Sequence, residues 1–268
     1  MPIINVKFIA TITAFTLCAG GAMAGPLPDG VIVDYQLGGA YTPPQGVTGV
    51  VRDSTDDPAP GYFNICYVNG FQTQPGVQWP TDLLVQGPDG QPLKDPNWPD
   101  ESLLDLSTPA NRARNLAAIL PAITACATKG FDAAEFDNLD SYTRSDDHLT
   151  LENAVAFATL LVKAAHDLGL TSAQKNLSEL GQRGRDQIGF DFAITEECHR
   201  WEECNAYSDV YGDQVIGIEY ADYLRGNFAD ACADPNRPPS LILRDRMLTR
   251  PGAAEYVFAF CPVAGPAN

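Results

Sequence analysis

Positive charge is scarce in this sequence: 17 lysines and arginines face 34 aspartates and glutamates, a formal net charge of −17. Such a surface repels phosphate backbones and anionic lipid, so neither nucleic acid nor membrane is expected as a partner. Histidine is scarce too, with His148, His166 and His199 alone, and no CxxC pair occurs. A zinc site therefore lacks its ligand set, and no metal or cofactor is expected. No GxSxG elbow for a serine nucleophile is present, and no phosphate-binding loop. No GxGxxG follows the first apolar strand, which argues against an open dinucleotide-binding sheet. Asp53, Asp56 and Asp57, like Asp146 and Asp147, do not follow the twelve-residue calcium loop and read as solvated turns. Long apolar runs are missing except at the start. There, Lys7, the run Phe8 to Cys18 and Ala22-Met23-Ala24 before Gly25 have the layout of a secretory signal peptide, too short to span a bilayer. A lipid-anchor reading of Cys18 is weaker, because Phe15-Thr16-Leu17 lacks small residues. The expectation is a leader at 1–24 and one secreted or periplasmic domain at 25–268, acting as a monomer.

What remains after the leader includes Cys66, Cys126, Cys198, Cys204, Cys232 and Cys261. An even set in an exported chain implies disulfides. Cys198 with Cys204 closes a short loop; Cys66–Cys126 and Cys232–Cys261 follow by elimination.

Short apolar strands alternate with longer amphipathic stretches. The expected strands are Val31–Tyr35, Phe63–Val68, Ser102–Leu106, Phe131–Phe136, Thr171–Lys175, Phe190–Thr195, Gln214–Ile218 and Ser240–Leu243. Between the third and fourth, Leu116, Ile119, Leu120, Ile123 and Cys126 recur at helical steps, with Pro109 at the first turn and Gly130 after the last. Pro121 is expected to bend or interrupt that helix. Thr150 caps a second helix whose stripe is Ala154, Phe157, Leu161 and Ala165. Alternating strands and helices in about 250 residues imply an α/β fold, a single (β/α)8 TIM barrel stabilised by disulfides.

Catalytic groups of that fold gather at the C-terminal strand ends. Every expected strand ends in polar residues: Asp34; Tyr67 and Asn69; Asp105; Asp137, Asn138 and Asp140; Lys175 and Asn176; Glu196 and Glu197; Glu219 and Tyr220; Arg244 or Asp245. Alternation along the fourth strand puts Ala133, Glu135 and Asp137 on one face. On the sixth it puts Ala193, Thr195 and Glu197 together, opposite Phe192, Ile194 and Glu196. Small-then-polar faces suit the barrel interior, which favours Glu197 over Glu196. Paired carboxylates without histidine ligands suit glycoside hydrolysis, and Lys175 between them would keep one ionised. Trp79, Trp98 and Trp201 are available for sugar stacking, Trp201 beside Glu197.

The segments VDYQLGGAYTPP (33–44), YFNICYVNGFQTQ (62–74), KGFDAAEFDNLDSYT (129–143), AQKNLSEL (173–180), FDFAITEECHRWEEC (190–204), YGDQVIGIEY (211–220) and LILRDRML (241–248) resemble glycoside hydrolase family 114. The resemblance implies an exported TIM-barrel endo-α-1,4-polygalactosaminidase acting on galactosamine-containing polysaccharide. It implies a catalytic Asp at Asp137 and a catalytic Glu at Glu197 or Glu196; analogy with related retaining barrels makes Asp137 the expected nucleophile and Glu197 the expected acid/base. A partially deacetylated polymer is cationic, and Asp34, Asp105, Asp140 and Glu219 are candidates to meet its ammonium groups. The competing class is a non-catalytic glycan-binding or coat protein on the same barrel.

Overall fold

Parallel strands cannot be joined by tight hairpins, so each must be reached by a crossover, and the crossovers set where a site can form. A computed structural model describes residues 27–262; the leader reading of 1–24 lies outside the described residues. Three strands come first, β1 (Val33–Tyr35), β2 (Gly49–Asp53) and β3 (Phe63–Asn69). They are followed by α1 (Pro109–Lys129), β4 (Ala133–Asp137), α2 (Leu151–Asp167), β5 (Thr171–Lys175) and β6 (Phe192–Glu196). The chain continues through α3 (Cys198–Trp201), α4 (Cys204–Tyr211), β7 (Val215–Tyr220), α5 (Phe228–Ala233) and β8 (Ser240–Arg244). β1 to β8 pair in parallel in chain order, and β9 (Phe258–Phe260) runs antiparallel on β8. This is a (β/α)8-type barrel, nearly closed.

Three strand expectations change. β2 and β9 were not among the expected strands, and Ser102–Leu106 is not in the barrel. That segment instead forms isolated antiparallel bridges, Gln72 with Leu103, Leu84 with Leu104 and Lys94 with Ser102, inside an insertion at 72–107. Leu103 and Leu104 are fully buried there, against Phe71, Val85 and Ile123. A buried apolar run cannot be told from a barrel strand by pattern alone. β2 reads GVVRD, and its Arg52 disguised it: this buried guanidinium donates to Gln36 Oε1, Asp57 O and Tyr41 O.

The barrel interior is filled by Val33, Tyr35, Val51, Ile65, Ala133, Ala173, Phe192, Ile194, Ile216, Ile218 and Ile242. Under the helices lies a second core that includes Ala134, Phe136, Phe157, Leu161 and Ala193. α1 begins where Thr108 accepts from the Asn111 N–H at 3.1 Å and ends at Gly130, whose φ of 91° is the left-handed stop that glycine adopts freely. Pro121 does not interrupt it. α2 starts on a reciprocal cap between Thr150 and Asn153 and buries Ala154, Phe157, Leu161 and Ala165.

No helix separates β1 from β2 or β2 from β3. Phe258 of β9 packs over Val47, Val50 and Ala59 on that uncovered side. No strand ladder joins β8 to β1 among the described residues. The seam is held instead by Arg244, which is fully buried, donates to Asp34 Oδ1 at 2.9 Å and to the Tyr35 carbonyl, and reaches Thr249 O and Val257 O. The disulfides are Cys66–Cys126, Cys198–Cys204 and Cys232–Cys261, the expected pairs. They pin β3 to α1, α3 to α4, and α5 to the chain after β9.

Candidate functional site

Side chains on one face of a strand recur every second residue, so the buried interior positions decide which polar residues reach the mouth. On β3, Ile65 points inward, and so do Tyr67 and Asn69. On β4, Ala133 is inside, and Glu135 and Asp137 follow it. On β5, Ala173 leads to Lys175. These match the expected faces. On β6 the expectation inverts: Phe192 and Ile194 fill the interior, and Ala193 lies under the helices. The inward carboxylate is therefore Glu196. Glu197 follows the strand with φ 61°, a left-handed turn that breaks the alternation. The barrel accepts large side chains inside, which is why the size argument chose the wrong face.

Lys175 is the centre of the arrangement. Its ammonium, 2% exposed, lies 3.2 Å from Glu135 Oε1, 3.3 Å from Asp137 Oδ1 and 3.4 Å from Glu196 Oε2. Burial alone would lower its pKa, but Asp137, Glu196 and Glu135 hold it well above the usual lysine value. Asp137 also accepts from the Tyr67 hydroxyl at 2.8 Å and the Asn138 N–H at 2.8 Å. Burial opposes its charge; Lys175 and these donors outweigh that and hold its carboxyl below the ordinary range. Glu196 is clamped from two sides. Asn176 Nδ2 donates to its Oε2 at 3.0 Å, Asn176 Oδ1 accepts from its backbone N–H at 2.8 Å, and the Tyr220 hydroxyl donates to its Oε1.

Glu135 lies beneath these two. It is fully buried, accepts from the Tyr35 hydroxyl at 2.5 Å, and its Oε2 has no partner. Burial pushes its pKa up to about 7 despite Lys175. Asp137 and Glu196 are partly open, at 21% and 26% exposure, and line a cavity of about 460 Å³. A second groove of about 400 Å³ meets the first at Asp140, Asn176 and Glu196, and Glu197, Trp201 and Tyr207 wall it. Two half-exposed tryptophans, Trp98 and Trp201, stand at the two spaces.

Other expected residues are placed elsewhere. Asp34, between inward Val33 and Tyr35, points out of the barrel and is fully buried against Arg244; neither lines the cavity. Asp105 follows no barrel strand and accepts from Ser107 and Asn111 at the start of α1. Glu219 points outward from β7, since Ile218 and Tyr220 are the inward pair. It accepts the His199 N–H at 2.9 Å, and burial pushes its pKa up to about 7. Glu197 pairs with Arg246 at 2.8 Å. Asp140 reaches the cavity but is neutralised by Arg144 at 2.7 Å. Asn69 donates to Glu101 Oε2 at 2.8 Å. Glu101, Asp95 and Arg144 also line the cavity and were not foreseen. Glu101 directly precedes the misread Ser102–Leu106 segment, so reading that segment as a barrel strand hid it.

The model for glycoside-hydrolase family GH114 matches residues 17–264. No curated protein sequence matches the chain. Among solved structures, Aspergillus fumigatus Ega3, in complex with galactosamine, superposes with a TM-score of 0.69 at 17% identity, covering 93% of this chain and 100% of that one. The glycoside hydrolase domain of PelA from Pseudomonas aeruginosa gives 0.54 at 15% identity, covering 83% and 98%. At such identities these likenesses speak for the barrel.

Proposed function

Because the chain belongs to glycoside hydrolase family GH114, we propose that it is an exported hydrolase that cuts α-1,4-galactosaminidic linkages within a galactosamine-containing polysaccharide, using Asp137 and Glu196. One observation carries the choice of residues: the buried Lys175 ammonium touches both carboxylates, at 3.3 and 3.4 Å, where they meet the cavity. Glu197, occupied by Arg246, is the weaker partner. The nearer oxygens of Asp137 and Glu196 cannot be further apart than the sum of those two contacts. That limit falls at the lower edge of the roughly 6.5–9.5 Å used for inversion and includes the about 5–5.5 Å used for retention.

A retaining sequence follows. The ionised Asp137 attacks the anomeric carbon while Glu196 gives its proton to the departing glycosidic oxygen, leaving a glycosyl ester on Asp137. Glu196, now a carboxylate, takes a proton from water, and the resulting hydroxide attacks the anomeric carbon and frees Asp137. At each stage the pair carries one negative charge between its two members, and Lys175 balances it at either position. Glu135 beneath, neutral below about pH 7, adds no second charge there. The cavity and groove meeting at Glu196, with a tryptophan at each, favour cutting inside a chain over trimming its end. Ega3 was captured with galactosamine, and the net charge of −17 suits a polymer bearing free ammonium groups. The disulfides fit an oxidising, extracytoplasmic setting.

The test is incubation with partially deacetylated α-1,4-galactosamine polymer, with Asp137→Asn as control. Expected are oligosaccharides whose new reducing ends start in the α configuration. Binding without cleavage would sink the hydrolase reading and leave a glycan-binding protein; β products would sink retention.

A further inference from the structure

The carboxylates that face the cavity are matched by donors, with one exception. Asp137 and Glu196 share Lys175. Asp95 and Asp140 share Arg144, at 2.6 and 2.7 Å. Asp53 accepts from Thr55 on one oxygen and Gln74 on the other. Glu101 makes no ion pair among the described residues, and of its two oxygens only Oε2 is taken, by Asn69 at 2.8 Å. Its other oxygen, on a partly exposed side chain, has no donor among the described residues.

The position of that free oxygen is fixed by two contacts. Asn69, which holds Glu101, accepts from Asn138 Nδ2 at 3.0 Å, and Asn138 directly follows Asp137. Only two side-chain amides separate Glu101 from the proposed nucleophile. On the other side, the Glu101 N–H donates to the Trp98 carbonyl at 2.8 Å, closing a turn that carries a half-exposed indole and the carboxylate together. A ring and a carboxyl with no ion-pair partner share one turn, and burial raises that carboxyl to about 7, so above that pH it offers an anion to a sugar with an apolar face and a cationic substituent.

We propose that Glu101 reads the nitrogen of the sugar bound beside Asp137, pairing with a free ammonium and disfavouring an acetamido group. The insertion at 72–107, and not the barrel, then decides which units of a partly acetylated chain sit next to the cleavage point. This rests on the galactosamine-polymer reading above and names the group that sets its preference. An acetamide offers Glu101 one neutral N–H and brings an acetyl group into the space the ammonium would leave open. A charge-assisted pair in a partly buried place is worth roughly ten- to a hundredfold in affinity over a neutral one.

The experiment compares full-length protein and Glu101→Gln on defined α-1,4-linked galactosamine oligomers and their N-acetylated counterparts. It reads affinity by calorimetry and kcat/KM by product release. Wild-type protein is expected to favour the amino oligomer, and Glu101→Gln to shrink that ratio by roughly ten- to a hundredfold, through KM and affinity and not kcat. Trp98→Ala should weaken both oligomers alike and leave the ratio in place. Equal losses on both oligomers in Glu101→Gln, or an unchanged ratio, would overturn the assignment. So would wild-type protein that binds the two forms equally or binds neither. If the wild type binds with the expected preference but cuts nothing, the hydrolase reading falls and the binding arm still decides the role of Glu101.

Discussion

Replacing Glu135 by Gln should flatten the dependence of stability on pH. The Glu135 carboxyl is raised from the ordinary 4.5 to about 7, chiefly by burial. Between those values the unfolded chain has released this proton and the folded chain has kept it. Folding then carries a penalty that is absent below about 4.5, grows through the interval and is complete above about 7. At about 1.4 kcal/mol per pH unit, the full penalty is about 3 kcal/mol. The side chain introduced by Glu135→Gln would resemble the neutral acid: its carbonyl can still accept from Tyr35, and its amide nitrogen replaces an oxygen that has no partner. Any cost of burying that amide is the same at both ends of the pH range. Thermal unfolding at pH 5 and pH 8 is the assay. About a quarter of that penalty is already present at pH 5, so the variant should gain about 5–10 °C relative to wild type on going from the lower pH to the higher. Glu101 and Glu219 are also raised to about 7 and give wild type and variant the same slope, so the difference isolates Glu135. Parallel pH curves for the two proteins would show that Glu135 is ionised inside the barrel and would refute the argument.

Glu196→Gln should lower turnover about a thousandfold or more, as should Asp137→Asn, whereas Glu197→Gln should cost less than about tenfold; the reverse order for the two glutamates would reinstate Glu197. Activity on a free-amine polymer should fall as salt rises from about 0.01 to 1 M, where the screening length shrinks from about 30 to 3 Å; a fully acetylated polymer should show little salt effect. Replacing Cys66 and Cys126 together by Ser opens a bridge that spans 60 residues. On the chain-entropy account this costs about 4 kcal/mol, read from denaturant midpoints. An unchanged midpoint would mean the bridge constrains little.

Much of the site was legible because barrel strand ends converge whatever their sequence, so Asp137, Lys175, Glu196, Tyr67 and Tyr220 could be collected without knowing their geometry. Face alternation succeeded on β4, where small Ala133 leads inward to Asp137. It failed on β6, where Phe192 and Ile194 fill the barrel and the chain turns left-handed at Glu197. Arg244 ends a strand and Asp34 lies one residue before a strand's end, as site residues would, but they satisfy each other across the seam. That pairing joins positions 210 residues apart, beyond the reach of local pattern. Glu101 was invisible for a different reason. Its insertion is built from single bridges around buried leucines, and a reading tuned to ladders took the segment for a strand.

Because no ladder joins the last parallel strand to the first among the described residues, the Arg244 guanidinium latches the hoop. The carbonyl that Arg244 grips belongs to Tyr35, whose hydroxyl reaches both Glu135 and Lys175. Slackening this latch would let the first strand drift and take the floor of the proposed active site with it, so damage at a residue outside the cavity would surface as lost chemistry.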